Sequence, residues 1–162
     1  VERTPQDFEY LVRACLETGK TANARILVGD FDAYVEKHPE DRERLQRTAA
    51  LWGDALYNAG DYRGALDAYA HAVPKQHEPK KNENTEDSAT EEQAPLSRDA
   101  IWAKYQRANA MLKLDDYSSS LAILDELAAS DTPYAEDARI KAEYARLEQR
   151  MRGGTQIVGQ GG

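Results

Sequence analysis

Trp102, Tyr105 and Asn109 follow one another at intervals of three and four residues, the spacing that stacks side chains on one face of a helix. Two aromatic rings and an amide have no nucleophilic or redox chemistry of their own. What they offer is non-covalent recognition, with ring area to bury and an amide that both donates to and accepts from a peptide backbone. Tyr57, in an earlier segment of similar pattern, adds a further ring. These four residues, Tyr57, Trp102, Tyr105 and Asn109, are the candidate partner-binding set. Trp102 and Tyr105 also have a plainer reading, in which one covers the edge of a helix stack and the other fills a gap between neighbouring helices.

Other reactive side chains lack the company that chemistry requires. His38, His71 and His77 are spread over a helix end, a helix and a polar loop, without metal-ligand spacing. Cys15 is the single cysteine, so it forms no internal disulfide, and it stands in an apolar stripe with no activating base nearby. "NENTEDSATEE" has carboxylates but not the spaced ligands and glycine of a calcium loop. There is neither a phosphate-binding glycine loop nor a nucleophile motif. The expectation is a protein that is not an enzyme and takes no cofactor or metal. A net charge of −8 argues against nucleic acid as a partner. No apolar run approaches the roughly 20 residues that span a bilayer, so direct membrane insertion is not expected.

The elements that must position these residues are helical hairpins. In "GDALYNAGDYRGALDAYAHAV", residues 53–73, apolar residues recur at helical spacing on both sides of Gly60-Asp61, which marks a tight turn between two helices. "AGDY" at 59–62 aligns with "LDDY" at 114–117, a shift of 55 residues, and Gly53, Leu56, Leu66 and Tyr69 then fall on Ala108, Met111, Leu121 and Leu124. Between the two lies "QHEPKKNENTEDSATEEQAP", without a Leu, Ile, Val, Met or aromatic residue. Such a segment buries too little apolar area to offset its chain entropy and is expected to be a flexible insertion, residues 76–97. A first hairpin is expected to turn Phe8, Leu11, Val12 and Cys15 inward, then Ala24, Val28 and Phe31, with its turn at Gly19. "YAEDARIKAEYARLEQRM" after Pro133 is expected to close the array as a helix with a polar outer face. The glycine-rich ending, residues 152–162, is expected to be a flexible tail.

Removing about 21 inserted residues from that shift leaves the roughly 34-residue period of a tetratricopeptide repeat. The second hairpin resembles this family in Trp52-Gly53, Leu56, Ala65, Tyr69 and the turn Gly60-Asp61-Tyr62. The third keeps Ala108, Met111, Asp116-Tyr117 and Pro133, with Ser120 and Leu124 in place of the alanine and aromatic; the first keeps Phe8, Leu11, Gly19, Ala24 and Val28. The resemblance implies an all-α fold, an α-α superhelix in which hairpins at about 5–38, 41–75 and 98–132 stack in a single domain, residues 1–151, capped by a helix at 134–151. "FDAYVEKHPEDRERLQRTAALWGDALYNAGDYRGALDAY" is further similar to repeats of bacterial cell-envelope proteins, which implies a periplasmic or envelope address.

In this family the first helices of successive hairpins line a concave wall that commonly holds a peptide or helix. The resemblance puts Gln6, Glu9, Arg13 and Leu16 on that wall, then Arg47, Ala50, Asp54 and Tyr57, then Trp102, Tyr105, Asn109 and Leu112. Two readings of function stand. One is a scaffold or adaptor for a protein or peptide partner. The other is a structural module of a larger protein that associates with itself as a homo-oligomer, through ends that expose Tyr10, Ile26 or Tyr144.

Overall fold

The structure, a computed structural model, describes residues 2–74 and 95–160, with side chains as far as residue 153. Among the described residues there are seven α-helices and no strand, as the all-α expectation requires. The expected insertion lies outside the described residues except for its last three positions, 95–97, which form no helix or strand. The chain divides into two compact units, Val1–Lys104 and Tyr105–Gly162, the boundary falling inside one helix.

The first unit opens with α1 (Pro5–Glu17) and α2 (Thr21–Lys37). Thr4 and Asp7 cap α1 reciprocally, each side chain accepting from the other's backbone N–H, and Pro5 takes the first turn, where its missing N–H costs nothing. Gly19 turns the chain at a φ of 75°, and the Lys20 N–H closes the turn on the Cys15 carbonyl at 2.8 Å. Stacking of Phe8 on Phe31, with centroids 4.8 Å apart, fastens α1 to α2. Phe8, Val12, Ala24, Val28 and Phe31 are buried as expected; Leu11 is exposed and Cys15 half-buried, because both lie on the same flank of the Phe8–Val12 seam, away from the side that buries Glu9.

A short 3-10 turn at Pro39–Asp41 leads into α3 (Arg42–Asn58), followed by α4 (Tyr62–Ala70). Helix α3 packs on both α1 and α2, so the two hairpins share one core around Phe31, Leu45, Trp52, Leu56 and Tyr69. The α3–α4 crossing is close at Gly53, which faces the buried Tyr69 ring. Leu66, expected in this core through the repeat alignment, is only half-buried, since the inward face of α4 is taken by Ala65, Ala68 and Tyr69. The first residues of α5 (Arg98–Lys113) complete the unit, and Ser97 Oγ donates to Gln46 Oε1.

The second unit contains the rest of α5, α6 (Tyr117–Ala128) and α7 (Ala135–Gln160). The α5–α6 turn reproduces the α3–α4 turn in detail. Asp115 has a φ of 60° where Gly60 has 83°, and Asp116 caps α6 through Ser119 N–H as Asp61 caps α4 through Gly64 N–H. Ser120, buried at the aligned alanine position, donates its hydroxyl to the Ala108 carbonyl at 3.0 Å, which removes the cost of burying it.

Two expectations about α7 need correcting. Its outer face is not polar throughout: between its charged residues Ile140, Tyr144, Leu147 and Met151 are all exposed, while the buried seam is Ala138, Ala142 and Ala145. Small residues let the helix lie close, and the large apolar ones are left on the far side. The helix also runs to Gln160, past the start of the expected flexible tail. Extending an existing helix avoids the cost of nucleation, so Gly153 and Gly154 do not stop it.

Candidate functional site

The four expected partner-binding residues are divided between the two units and engaged within them. In the first unit, Tyr57 is half-buried with its ring edge-on to Tyr62, centroids 5.1 Å apart. Trp102 is also half-buried, and its indole N–H donates to Asp54 Oδ1 at 3.0 Å. Tyr69 donates its hydroxyl to the same oxygen, so Asp54 joins α3, α4 and α5 rather than standing open.

In the second unit, Tyr105 and Asn109 do not line an open wall. They are only 7% and 8% exposed, because α7 folds over them. Tyr105 stacks on Tyr134 with centroids 4.7 Å apart, and Lys141 Nζ lies 4.6 Å from its ring centroid. That ammonium donates to Tyr105 Oη, to Asn109 Oδ1 at 2.8 Å and to Asp137 Oδ2 at 3.0 Å, using its three N–H bonds. Asn109 passes its own N–H to Gln106 Oε1 at 2.8 Å. Exposure of these two residues is therefore corrected: their polar atoms serve Lys141, which no local spacing in the sequence connects to them.

The surface of α1 and α3 in the first unit offers different chemistry. Glu9, expected on an open wall, is 6% exposed and sits under three arginines. Arg47 grips both carboxylate oxygens, through Nε at 3.2 Å and Nη2 at 3.1 Å. Arg13 reaches Oε1 at 3.1 Å from one turn along α1, and Arg44 Nε reaches Oε2 at 3.3 Å. Burial pushes the Glu9 carboxyl up, but the Arg47 hydrogen bond and the charges of Arg47, Arg13 and Arg44 outweigh it and hold the group below its ordinary 4.5. The Arg47 guanidinium is raised in turn, chiefly by its hydrogen bond to Glu9.

One carboxylate thus fixes three guanidiniums whose side chains remain 38–50% exposed. The result is a local cationic excess on a chain of net charge −8. Guanidiniums pre-oriented by a shared anchor lose little entropy when their remaining N–H groups meet another carboxylate. Ala50, expected on the same wall, is buried, and Leu16 is half-buried.

The histidines do structural work. His38 stacks on Tyr34 with centroids 4.1 Å apart, while His71 Nδ1 pairs with Asp32 Oδ2 at 2.7 Å and so ties α4 to α2. His77 lies outside the described residues. Among the described residues, no group of three or more His, Cys, Asp and Glu side chains is placed to hold a metal ion, and no helix is long and apolar enough to cross a membrane. No family model matches the chain, and neither a curated protein nor a solved structure matches it.

Proposed function

We propose that the chain is a non-enzymatic protein-interaction scaffold of the tetratricopeptide-repeat kind, which holds a peptide or helix of a partner on the face of α1 and α3. The observation that carries this reading is the set of three half-exposed arginines held on one buried carboxylate, on the first helices of two hairpins that share a core. The repeated turn, with Gly60 and Asp115 in the same backbone region and Asp61 and Asp116 in the same cap, supports the repeat assignment. The partner segment favoured by this face is acidic, because arginine forks match carboxylates and the surplus charge is positive.

Fluorescence anisotropy with labelled peptides of matched length, one rich in Glu and Leu and one rich in Lys and Leu, tests this reading. The acidic peptide should bind more tightly, and its affinity should fall as salt rises. Arg44→Gln with Arg13→Gln should weaken it about tenfold or more while Arg47 keeps Glu9 paired. Equal binding of both peptides, or no effect of the double change, overturns the assignment of this face.

A further inference from the structure

The face of α7 opposite its buried seam is a second, independent surface. Ala138, Ala142 and Ala145 turn inward, whereas Ile140, Tyr144, Leu147 and Met151 form a stripe in which each residue is about half exposed or more. Their intervals of four, three and four residues repeat every seven, the spacing of a two-helix seam. Ile140 and Leu147 take one seam position, d, and Tyr144 and Met151 the other, a. Glu143 and Arg150 then flank the seam on one side, at position g, and Lys141 and Glu148 on the other, at e.

We infer that this stripe is the contact for a second copy of the chain, packed antiparallel through α7. The flanking charges decide both the occupant and its direction. In an antiparallel pair each flank meets the same flank of its partner. A twofold axis crossing between Tyr144 and Leu147 sets Tyr144 against the partner's Leu147 and Ile140 against the partner's Met151. It brings Glu143 beside the partner's Arg150, and symmetry makes that opposite-charge pair twice. Lys141 faces the partner's Glu148, though its ammonium is committed to Tyr105 and Asn109 of its own chain. A parallel pair sets Glu143 beside the partner's Glu148, a repulsive contact made twice. Within its own helix Glu143 pairs with Arg139, an exposed pair that exchanges readily. Four apolar side chains per helix make a small interface, so the dimer is weak, with a dissociation constant in the micromolar range.

Sedimentation of the full chain over roughly 1 µM to 1 mM tests this. The expected result is a monomer–dimer equilibrium that Tyr144→Glu abolishes, with helicity by circular dichroism unchanged because Tyr144 lies away from the alanine seam. Glu143→Arg alone, or Arg150→Glu alone, should weaken the dimer about tenfold, since each alters two pairs at once. The two together should restore it. On a Cys15→Ser background, Ile140→Cys mixed with Met151→Cys should cross-link as the mixed dimer. A chain that stays monomeric across the range, a double charge variant no better than the single ones, or cross-links only between identical variants would overturn the inference. So would a dimer unmoved by Tyr144→Glu.

Discussion

The Cα of Gly53 faces the ring of Tyr69 so closely that a β-carbon placed there would lie 2.5 Å from two ring atoms. Tyr69 has nowhere to retreat, being fully buried with its hydroxyl on Asp54. Gly53→Ala, normally favourable within a helix, should therefore destabilise by about 1–3 kcal/mol in chemical denaturation. The aligned pair in the second unit, Ala108 and Leu124, points to a compensation, a methyl where the facing residue is smaller than tyrosine. Combining Gly53→Ala with Tyr69→Leu should cost less than the sum of the two single changes.

Glu9 makes the stability of the first unit depend on acidity. Its folded carboxyl titrates below the ordinary 4.5, so it stabilises the fold above that pH and loses the effect as pH falls through its lower folded value. Glu9→Gln should cost about 1–2 kcal/mol near neutrality, because the amide carries no negative charge and sets an NH2 donor where one of the two acceptor oxygens faced the half-exposed arginines. Below pH 4.5 the gap between variant and parent should close. A gap that stays constant from pH 7 to 3 would mean that packing, not charge, is what Glu9 supplies.

Lys141 offers a test of the second unit. Removing its ammonium leaves the buried Tyr105 hydroxyl and Asn109 carbonyl without this donor, so Lys141→Met should destabilise by about 1–3 kcal/mol. Adding Tyr105→Phe and Asn109→Leu should recover part of the loss, since the hydroxyl and carbonyl that Lys141 served are then gone, although buried Gln106 loses the Asn109 donor. Thermal melts of the single and triple variants decide between them.

What the sequence made legible was the part of the fold encoded over short distances. Gly60-Asp61 and Asp115-Asp116 announced their turns because left-handed backbone and side-chain caps are local chemistry. Gly53 and Ala108 keep a small residue at aligned positions, but the Tyr69 ring that Gly53 faces is a contact between two helices. The surfaces were harder to see. Glu9 and Arg47 stand 38 residues apart, and Lys141 stands 36 from Tyr105, so no periodicity links them. Helix α7 misled in another way. Two apolar stripes run along it, and large residues suggest a core more strongly than alanines do, yet the alanines are the buried ones.

The matched turns support one further experiment. Gly60 at a φ of 83° has no β-carbon to clash with its own carbonyl, and its surroundings are open. Gly60→Ala should thus cost only the backbone penalty, about 1 kcal/mol. Asp115 bears that penalty already and offsets it locally, accepting from the Tyr117 hydroxyl at 3.0 Å and pairing with Arg152 at 3.3 Å. Asp115→Asn keeps an acceptor for Tyr117 and a side chain tolerant of this conformation, so its melting temperature should stay near that of the parent. Asp115→Ala keeps the strained backbone and loses both contacts, and should fall by about 1–2 kcal/mol. If Asp115→Ala melts like the parent while Gly60→Ala does not, the two turns are alike in shape but held by different forces.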